Sequence, residues 1–588
     1  MRDGVRLATE IHLPLSADKI KMPVILTRSP YNNHLADKNN SELTCNPEQF
    51  RHFVERGYVV LNQDVRGTTR SEGVLTPIHQ EANDGYDAVE WAAVQPWSNG
   101  RVGLMGRSYI GATALQGAVS QPPHLIAVSA AFTASDYHDN WTFVNGAFDL
   151  WFAQSWIVKY LAKDTYLRQL ESSDVSSEDS LSKVSRWSKN ANQSITSWTK
   201  KFPLKTFYGF DNLSPYYHDW LDHPDYSPYW SAVDLEQQYS NINVPVLLTG
   251  GWYDTFSVGT IRNFLGLRKQ AATKSAREGT RLLMTPACHI AECGVINLQA
   301  SLSNIKEELD WWDYWLKGID NGLHEKPPIT LDIMLPPDRG VEGGVIRIAA
   351  NEFPLIGTEF AKLYLSSGGK ANTRHGDGKL HVENSSEKPS DQFVFDPGNP
   401  VPTLGGNSCC GEPFPPGVFD QSDIELRDDV LVYTTKPLTT DIVVVGSVKL
   451  NFWAKSSARD TDFTAKLVDV HFDGFSQNIL DRIVRARYRQ GSKMPPSLIE
   501  PGRAYLYNLE LGPTATVFKQ GHSIRLEISS SNFPRFDRNP NTGNTIATDV
   551  KMQIATQNIL HNKEYPSYLE LPVVDKSLIR RYSIGGDG

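Results

Sequence analysis

The sequence predicts an α/β protein in which a mostly parallel sheet is interrupted by a helical insertion and followed by an all-β part. Three observations carry this. Over the first half, short apolar runs alternate with helix-like stretches. The alternation breaks once, at an aromatic-rich segment. Beyond about residue 345, strand-like runs follow one another with no clear helix between them. A chain of 588 residues has room for two to four domains and a large core.

From the N-terminus, Val5, Leu7, Thr9, Ile11 and Leu13 alternate with Arg6, Ala8, Glu10 and His12, the period-2 pattern of a half-buried strand. The runs Val24–Thr27, Tyr58–Leu61, Val102–Met105, Leu125–Ala131, Val244–Thr249 and Leu282–Thr285 predict strands covered on both faces, as parallel sheets require. Between them, Ala82, Tyr86, Val89 and Ala93 fall on one face of a predicted helix. Residues 136–240 hold 22 aromatics in 105 positions, about twice the chain's 10% average, and predict a helical cap with a polar loop at Glu171–Asp179. Most of these rings are expected to pack a helical core, and a minority to line a pocket. A helix over Leu309–Leu316 precedes Pro327-Pro328. Then Asp441–Trp453, Phe463–Phe472, Ala504–Leu511 and Ser523–Ser529, divided by Gly, Pro, Asp and Asn, predict a β sandwich or jelly roll.

Composition excludes several function classes. With 58 Lys and Arg against 67 Asp and Glu, the net charge of −9 is wrong for a nucleic-acid binder. A hydrophobic fraction of 40% and 61 aromatics exclude a disordered chain. No uncharged apolar run reaches the roughly 18 residues that span a bilayer, so no membrane association is expected. The first residues show no charged and apolar signal pattern. A soluble, cytoplasmic protein is favoured, with an upstream segment left open. Of five cysteines, adjacent Cys409 and Cys410 are expected to be two reduced thiols, and Cys288 and Cys293 either a local bridge or free thiols rather than a metal site.

The most informative segment is Val102-Gly103-Leu104-Met105-Gly106-Arg107-Ser108-Tyr109-Ile110-Gly111, running into the helix-compatible Ala112–Ala118. A buried strand, a turn of small residues around a serine and a helix make a nucleophile elbow. The turn exposes the hydroxyl and leaves the next backbone N–H free for an oxyanion. On its own, the G-x-S-x-x-G spacing suits a catalytic or a structural serine equally. A serine nucleophile needs a base and an orienting carboxylate. Asp254 follows the strand-like Val244–Thr249, and His289 follows Leu282–Thr285. Ser108, Asp254 and His289 thus occur in the chain order of a hydrolase triad, each at a strand's carboxyl end. Tyr31, after Val24–Thr27, emerges at the same edge, where its phenol could donate to an oxyanion or simply pack.

These residues resemble a known family. Arg2-Asp3-Gly4-Val5, Asp64-Val65-Arg66-Gly67 with Ser71-Glu72-Gly73, Gln95-Pro96-Trp97-Ser98-Asn99-Gly100-Arg101, Gly106-Arg107-Ser108-Tyr109-Ile110-Gly111 and Gly251-Trp252-Tyr253-Asp254 are similar to the cocaine esterase and X-Pro dipeptidyl-peptidase family of serine hydrolases. Phe395-Asp396-Pro397, Leu404-Gly405-Gly406, Asp428-Asp429-Val430-Leu431-Val432-Tyr433, Asp460–Leu467 and Ser529-Ser530-Ser531-Asn532-Phe533-Pro534 resemble the family's C-terminal jelly roll. The resemblance implies an α/β-hydrolase core (1–135 and 241–345), an inserted helical cap (136–240) and a jelly-roll domain (346–588). It implies Ser108 as nucleophile, Asp254 and His289 as its triad partners, and an oxyanion hole of Tyr31 and the Tyr109 backbone N–H. The extended elbow spacing is the family's own. The family's histidine more often follows Pro-Trp, where this chain has Pro286-Ala287-Cys288.

The expected reaction is acyl transfer to water from a small ester substrate, with no metal and no organic cofactor. The family's amino-ester branch carries a Glu-Asp pair after the triad aspartate, but Thr255-Phe256-Ser257 stands here. Its peptidase branch resembles longer chains with a further N-terminal domain. Esters with a bulky or aromatic acyl group are therefore favoured over X-Pro peptides and cephalosporin-type amides. A non-enzymatic alternative is an inactive hydrolase scaffold with a carbohydrate-binding jelly roll. A homo-oligomer is compatible with the sequence.

Overall fold

The computed structural model describes residues 1–17, 19–31, 47–173, 176–207, 212–289, 293–294, 305–337, 343–384, 390–577 and 579. Its core sheet comprises β1 (Thr9–His12), β2 (Met22–Ser29), β3 (Val59–Asp64), β4 (Ser98–Arg107), β5 (Leu125–Ala131), β6 (Val246–Tyr253), β7 (Arg281–Cys288), β8 (Ile329–Leu335) and β9 (Gly344–Ala350). They lie in the order β1-β3-β2-β4-β5-β6-β7-β8-β9, parallel from β3 to β8 with an antiparallel strand at each edge. The chain leaves β2 toward β3 on one side and returns with β4 on the other. The carboxyl ends of β2 and β4 therefore flank the topological switch point, where open α/β sheets place their sites. The apolar runs become strands because β2, β3 and β6 are buried along their whole length.

Two local expectations hold only in part at the start of the chain. Only Thr9–His12 of the predicted Val5–Leu13 strand forms, and Ile11 and Leu13 stay 43% and 46% exposed, because β1 is an edge strand paired only with β3. The helix Glu81–Ala93 (α1) buries Val89 and Ala93 of the expected face together with Glu81, Asp84, Gly85, Ala88 and Ala92, and leaves Ala82 and Tyr86 half-buried. Close approach accounts for the difference: a Cβ on Gly85 would meet the Gly117 Cα of helix Tyr109–Val119 (α2) at 2.7 Å.

Between β5 and β6 the chain builds a helical layer. Leu150–Trp156 continues through a wider turn, Ile157–Leu161, into Ala162–Glu171, and is followed by Ser177–Trp198 and Pro215–Asp222. Most of the interval Glu171–Asp179, expected as a loop, serves these helices. Glu171 ends one, and the Ser176 hydroxyl caps the next by accepting the Asp179 N–H at 3.2 Å, while residues 174 and 175 lie outside the described residues.

The C-terminal part is antiparallel β. Ile442–Ser456 pairs with Tyr505–Phe518, Ala555–Leu560 and Tyr568–Val574. Facing it, Asp462–Val470 joins Ser476–Arg485 and Ser523–Ser529. Leu450, Phe452, Phe463, Leu467, Tyr507 and Leu526 fill the space between the layers. Cys288 and Cys293 form one disulfide, and adjacent Cys409 and Cys410 form another, against the expectation of two thiols. Neighbouring side chains diverge in extended backbone, but Cys410 takes φ +73°, which turns the pair to one side.

Candidate active site

The elbow is built by steric necessity. Ser108 sits between β4 and α2 at φ +59°, ψ −127°, a conformation that costs a non-glycine residue energy and recurs at functional sites. The turn is tight enough that a Cβ on Gly106 would lie 2.3 Å from the Ile110 side chain, and one on Gly111 would lie 3.0 Å from the Ala131 carbonyl. Those two contacts explain the G-x-S-x-x-G spacing.

Ser108 Oγ lies 2.9 Å from His289 Nε2, and His289 Nδ1 lies 2.7 Å from Asp254 Oδ1. All three residues are buried, at 4%, 1% and 0% exposure. A hydroxyl proton can pass to Nε2 while the carboxylate fixes the imidazole's orientation. The rings of Phe256 and Phe132 stand edge-on to the imidazole at 5.1 and 6.4 Å. Arg107 Nη2 donates to the His289 carbonyl at 2.5 Å. A disulfide links Cys288, the residue before His289, to Cys293.

Tyr31 is buried at the end of β2, beside the switch point, and its phenol oxygen accepts the Trp156 indole N–H at 3.2 Å. Tyr109 opens α2, so its N–H points out of the helix N-terminus without an intrahelical partner. Its phenol donates to Glu81 Oε1 at 2.8 Å and accepts the Ile78 N–H at 2.9 Å. Burial, reinforced by Glu81, holds the Tyr109 phenol well above its ordinary pKa. Over these groups the cap contributes Trp141, stacked on Phe256 at 4.5 Å, and Trp156, stacked on Phe152 at 5.6 Å.

The structure thus brings together Ser108, Asp254 and His289, and sets Tyr31 and Tyr109 on adjoining strand ends. Sequence reading passes over Trp156, Glu81 and Asn407, whose amide donates to the Trp252 carbonyl at 2.7 Å and the Asp254 carbonyl at 3.2 Å. Nothing in their neighbourhoods marks them, since each meets its partner across many residues of chain. Among the described residues, two other groups offer metal-type ligands within 4.8 Å of one another. In Asp136, Asp234 and Glu236 the cation is already Lys493, at 3.0, 2.7 and 3.2 Å. In Asp469, His471 and His522, His522 Nδ1 lies 3.0 Å from Asp469 and His471 Nε2 lies 3.0 Å from Gln477 Oε1.

The profile described as X-Pro dipeptidyl-peptidase (S15 family) matches residues 3–291, and that of the X-Pro dipeptidyl-peptidase C-terminal non-catalytic domain matches residues 313–570. Cocaine esterase from Rhodococcus sp. (strain MB1 Bresler) is 32% identical over 98% of this chain and 97% of its own length. The chain belongs to the cocaine esterase and X-Pro dipeptidyl-peptidase family. It is accordingly a serine hydrolase of ester or peptide type. The fold agrees. An aminopeptidase from a marine sediment Thaumarchaeota archaeon superposes with a TM-score of 0.75 at 23% identity, covering 98% of this chain and 95% of that one. An alpha-amino acid ester hydrolase does so with a TM-score of 0.73 at 23% identity and the same coverage. Among the described residues, no helix is long and apolar enough to cross a membrane.

Proposed function

We propose that this family member is a carboxylic ester hydrolase that works through an acyl-enzyme on Ser108 and prefers bulky or aromatic acyl groups. The observation that carries the reading is the relay Ser108–His289–Asp254, at 2.9 and 2.7 Å in a buried site. His289 Nε2 takes the Ser108 proton as Oγ forms its bond to the ester carbonyl carbon. The carbonyl electron pair moves onto oxygen, which Tyr31 and the Tyr109 N–H stabilise as an anion. Collapse breaks the bond to the alcohol oxygen, and His289 returns the proton to it. Water then repeats the sequence on the acyl carbon, again with His289 as base, and releases the acid.

Aromatic surroundings support the acyl preference. Phe256 occupies the second position after Asp254, touches the His289 ring and stacks on Trp141, leaving an apolar face where an ammonium substrate would need carboxylates. The 32% identity to a cocaine esterase points the same way. The second reading, hydrolysis of X-Pro peptides or amides, rests on the S15 profile itself. Parallel kcat/KM measurements on benzoate esters, acyl amides and X-Pro anilides decide between them. The esterase reading expects the benzoate to win, and a preference for the X-Pro anilide overturns it. Labelling by a fluorophosphonate, expected for the native chain and absent from Ser108→Ala, tests the nucleophile.

A further inference from the structure

We propose that Glu81 is a positioning residue that holds both donors of the oxyanion hole in register, an inference that rests on the roles of Tyr31 and Tyr109 given above. Glu81 is the first residue of α1 and fully buried, and its carboxylate is engaged by Tyr109 and Arg28 rather than by the triad. Its Oε1 accepts the Tyr109 O–H at 2.8 Å, and its Oε2 lies 2.9 Å from Arg28 Nη1. The same guanidinium donates to the Glu81 backbone carbonyl at 3.1 Å and, through Nε, to Gln63 Oε1 at 3.0 Å. Arg28 is 1% exposed and lies in β2, three residues before Tyr31. The chain between them is pinned at both ends. Thr113 Oγ1 of α2 donates to the Arg28 carbonyl at 2.9 Å, and Ser29 Oγ accepts the Tyr31 N–H at 3.1 Å.

One carboxylate therefore grips the residue that carries the phenol donor's strand and the residue that carries the backbone donor. The far end of the Tyr109 ring is fixed by two bonds, from Ile78 N–H and to Glu81, so the first turn of α2 cannot rotate without breaking them. Ile78 itself is held at φ +72°, a conformation an isoleucine keeps only under constraint. The charge is arranged for the purpose. A lone anion this close to the elbow would oppose the negative charge that builds on the substrate oxygen; Arg28 pairs with Glu81 at 2.9 Å and faces Asp84 at 3.8 Å, while Arg66 takes Asp84 at 2.6 Å. Preorganised donors of this kind act only if their direction is set before the charge develops.

The test uses the full-length enzyme, a benzoate ester and an arylboronic acid, whose tetrahedral adduct on a serine places an oxygen where the oxyanion forms. Glu81→Gln keeps the shape but sets an amide against Arg28, and Tyr109→Phe removes one hydroxyl and leaves the Glu81–Arg28 pair in place. Each variant is expected to lower kcat by about tenfold or more, less than or equal to loss of a whole donor, with KM changed by less than about threefold. Boronate binding should weaken by the same factor as kcat. Tyr31→Phe should cost less in the Glu81→Gln background than in the native one. If Glu81→Gln fails to fold, Tyr109→Phe carries the test alone. Folded variants with native kcat, or a lowered kcat with unchanged boronate affinity, overturn the proposal while leaving the esterase reading intact. A Tyr31→Phe enzyme with native kcat overturns the oxyanion assignment, and this proposal with it.

Discussion

At the scale of single residues, the proposed oxyanion role of Tyr31 draws in its neighbour in the cap, Trp156. The Trp156 indole donates to the Tyr31 phenol oxygen at 3.2 Å, which occupies an acceptor position and leaves the phenol O–H to donate elsewhere. Tyr31→Phe is expected to lower kcat by about 10²–10³, the usual cost of one oxyanion donor. Trp156→Phe keeps an aromatic ring against Phe152 and Trp220 but deletes the donor, so a smaller loss, about tenfold, should appear in kcat rather than KM. Steady-state kinetics of the double variant checks the link: if Trp156→Phe costs as much in the Tyr31→Phe background as alone, the indole is not acting through the phenol. Ser108, Asp254 and His289 can be read because the fold constrains their order and their positions at strand ends. Trp156 sits among seven ordinary-looking helix residues, Leu150–Trp156, and Glu81 looks like any acidic residue in a helix's first turn. Their roles exist only in contacts that folding creates.

At the scale of elements, the end of β6 and Asp254 just after it are held by the β domain. Asn407 donates to the carbonyls of Trp252 and Asp254, and its own N–H is accepted by Asp481 Oδ1 at 3.0 Å. Asp481 is in turn bonded by Arg535 at 2.5 Å and by the Asn532 amide at 2.7 Å, while the Tyr253 phenol donates to the Asn478 carbonyl at 2.9 Å. Asn407→Ala removes a donor from the buried Trp252 carbonyl and leaves the Asp254 carbonyl with the Ser257 N–H at 3.1 Å, a cost of about 1–3 kcal/mol in stability. It should also lower kcat, because Asp254 loses a constraint that its own strand does not supply. Thermal denaturation alongside kinetics separates the two, and native kcat in a destabilised Asn407→Ala would make the β domain's hold on Asp254 irrelevant to chemistry. The strands were legible because doubly buried runs have a local signature, and Leu125–Ala131 and Ser523–Ser529 coincide with strands end to end. The buried face of α1 is legible only at Val89 and Ala93, since Gly85 against Gly117 and the pull of Arg28 on Glu81 and Asp84 are tertiary. The Ser176 cap was hidden for a different reason: serine and acidic residues signal a loop and a helix start with the same letters.

Across the whole molecule, one ammonium group closes the insertion onto the rest. The chain departs from the core near Asp136 and returns near Asp234 and Glu236, and Lys493 of the β domain reaches all three carboxylates at 2.7–3.2 Å. Beside it, Arg262 of the core helix Ser257–Gln270 bonds Glu510 of the β domain at 3.0 Å, so core, insertion and β domain share one charge cluster. Burial, together with Asp234, raises the Asp136 carboxyl to about 7 even though Lys493 lowers it. Burial alone would lower the Lys493 ammonium, but Asp136, Glu236 and Asp234 raise it above its ordinary value. The sign of the pH dependence follows. A carboxyl whose folded pKa lies above its unfolded value binds a proton more tightly when folded, so stability falls as pH rises from about 4 through about 7. Lys493→Met removes the charge that restrains this shift, and the Asp136 carboxyl moves further up. The variant should therefore lose roughly 3–5 kcal/mol at pH 8, the cost of breaking a buried ion pair, and distinctly less at pH 5, where protonation relieves the uncompensated anions. Denaturant unfolding at the two pH values measures the difference. A penalty equal at both, or larger at pH 5, would mean that Lys493 contributes through packing on Tyr226, whose ring centre lies 5.3 Å from its nitrogen, rather than as the shared cation of the three carboxylates.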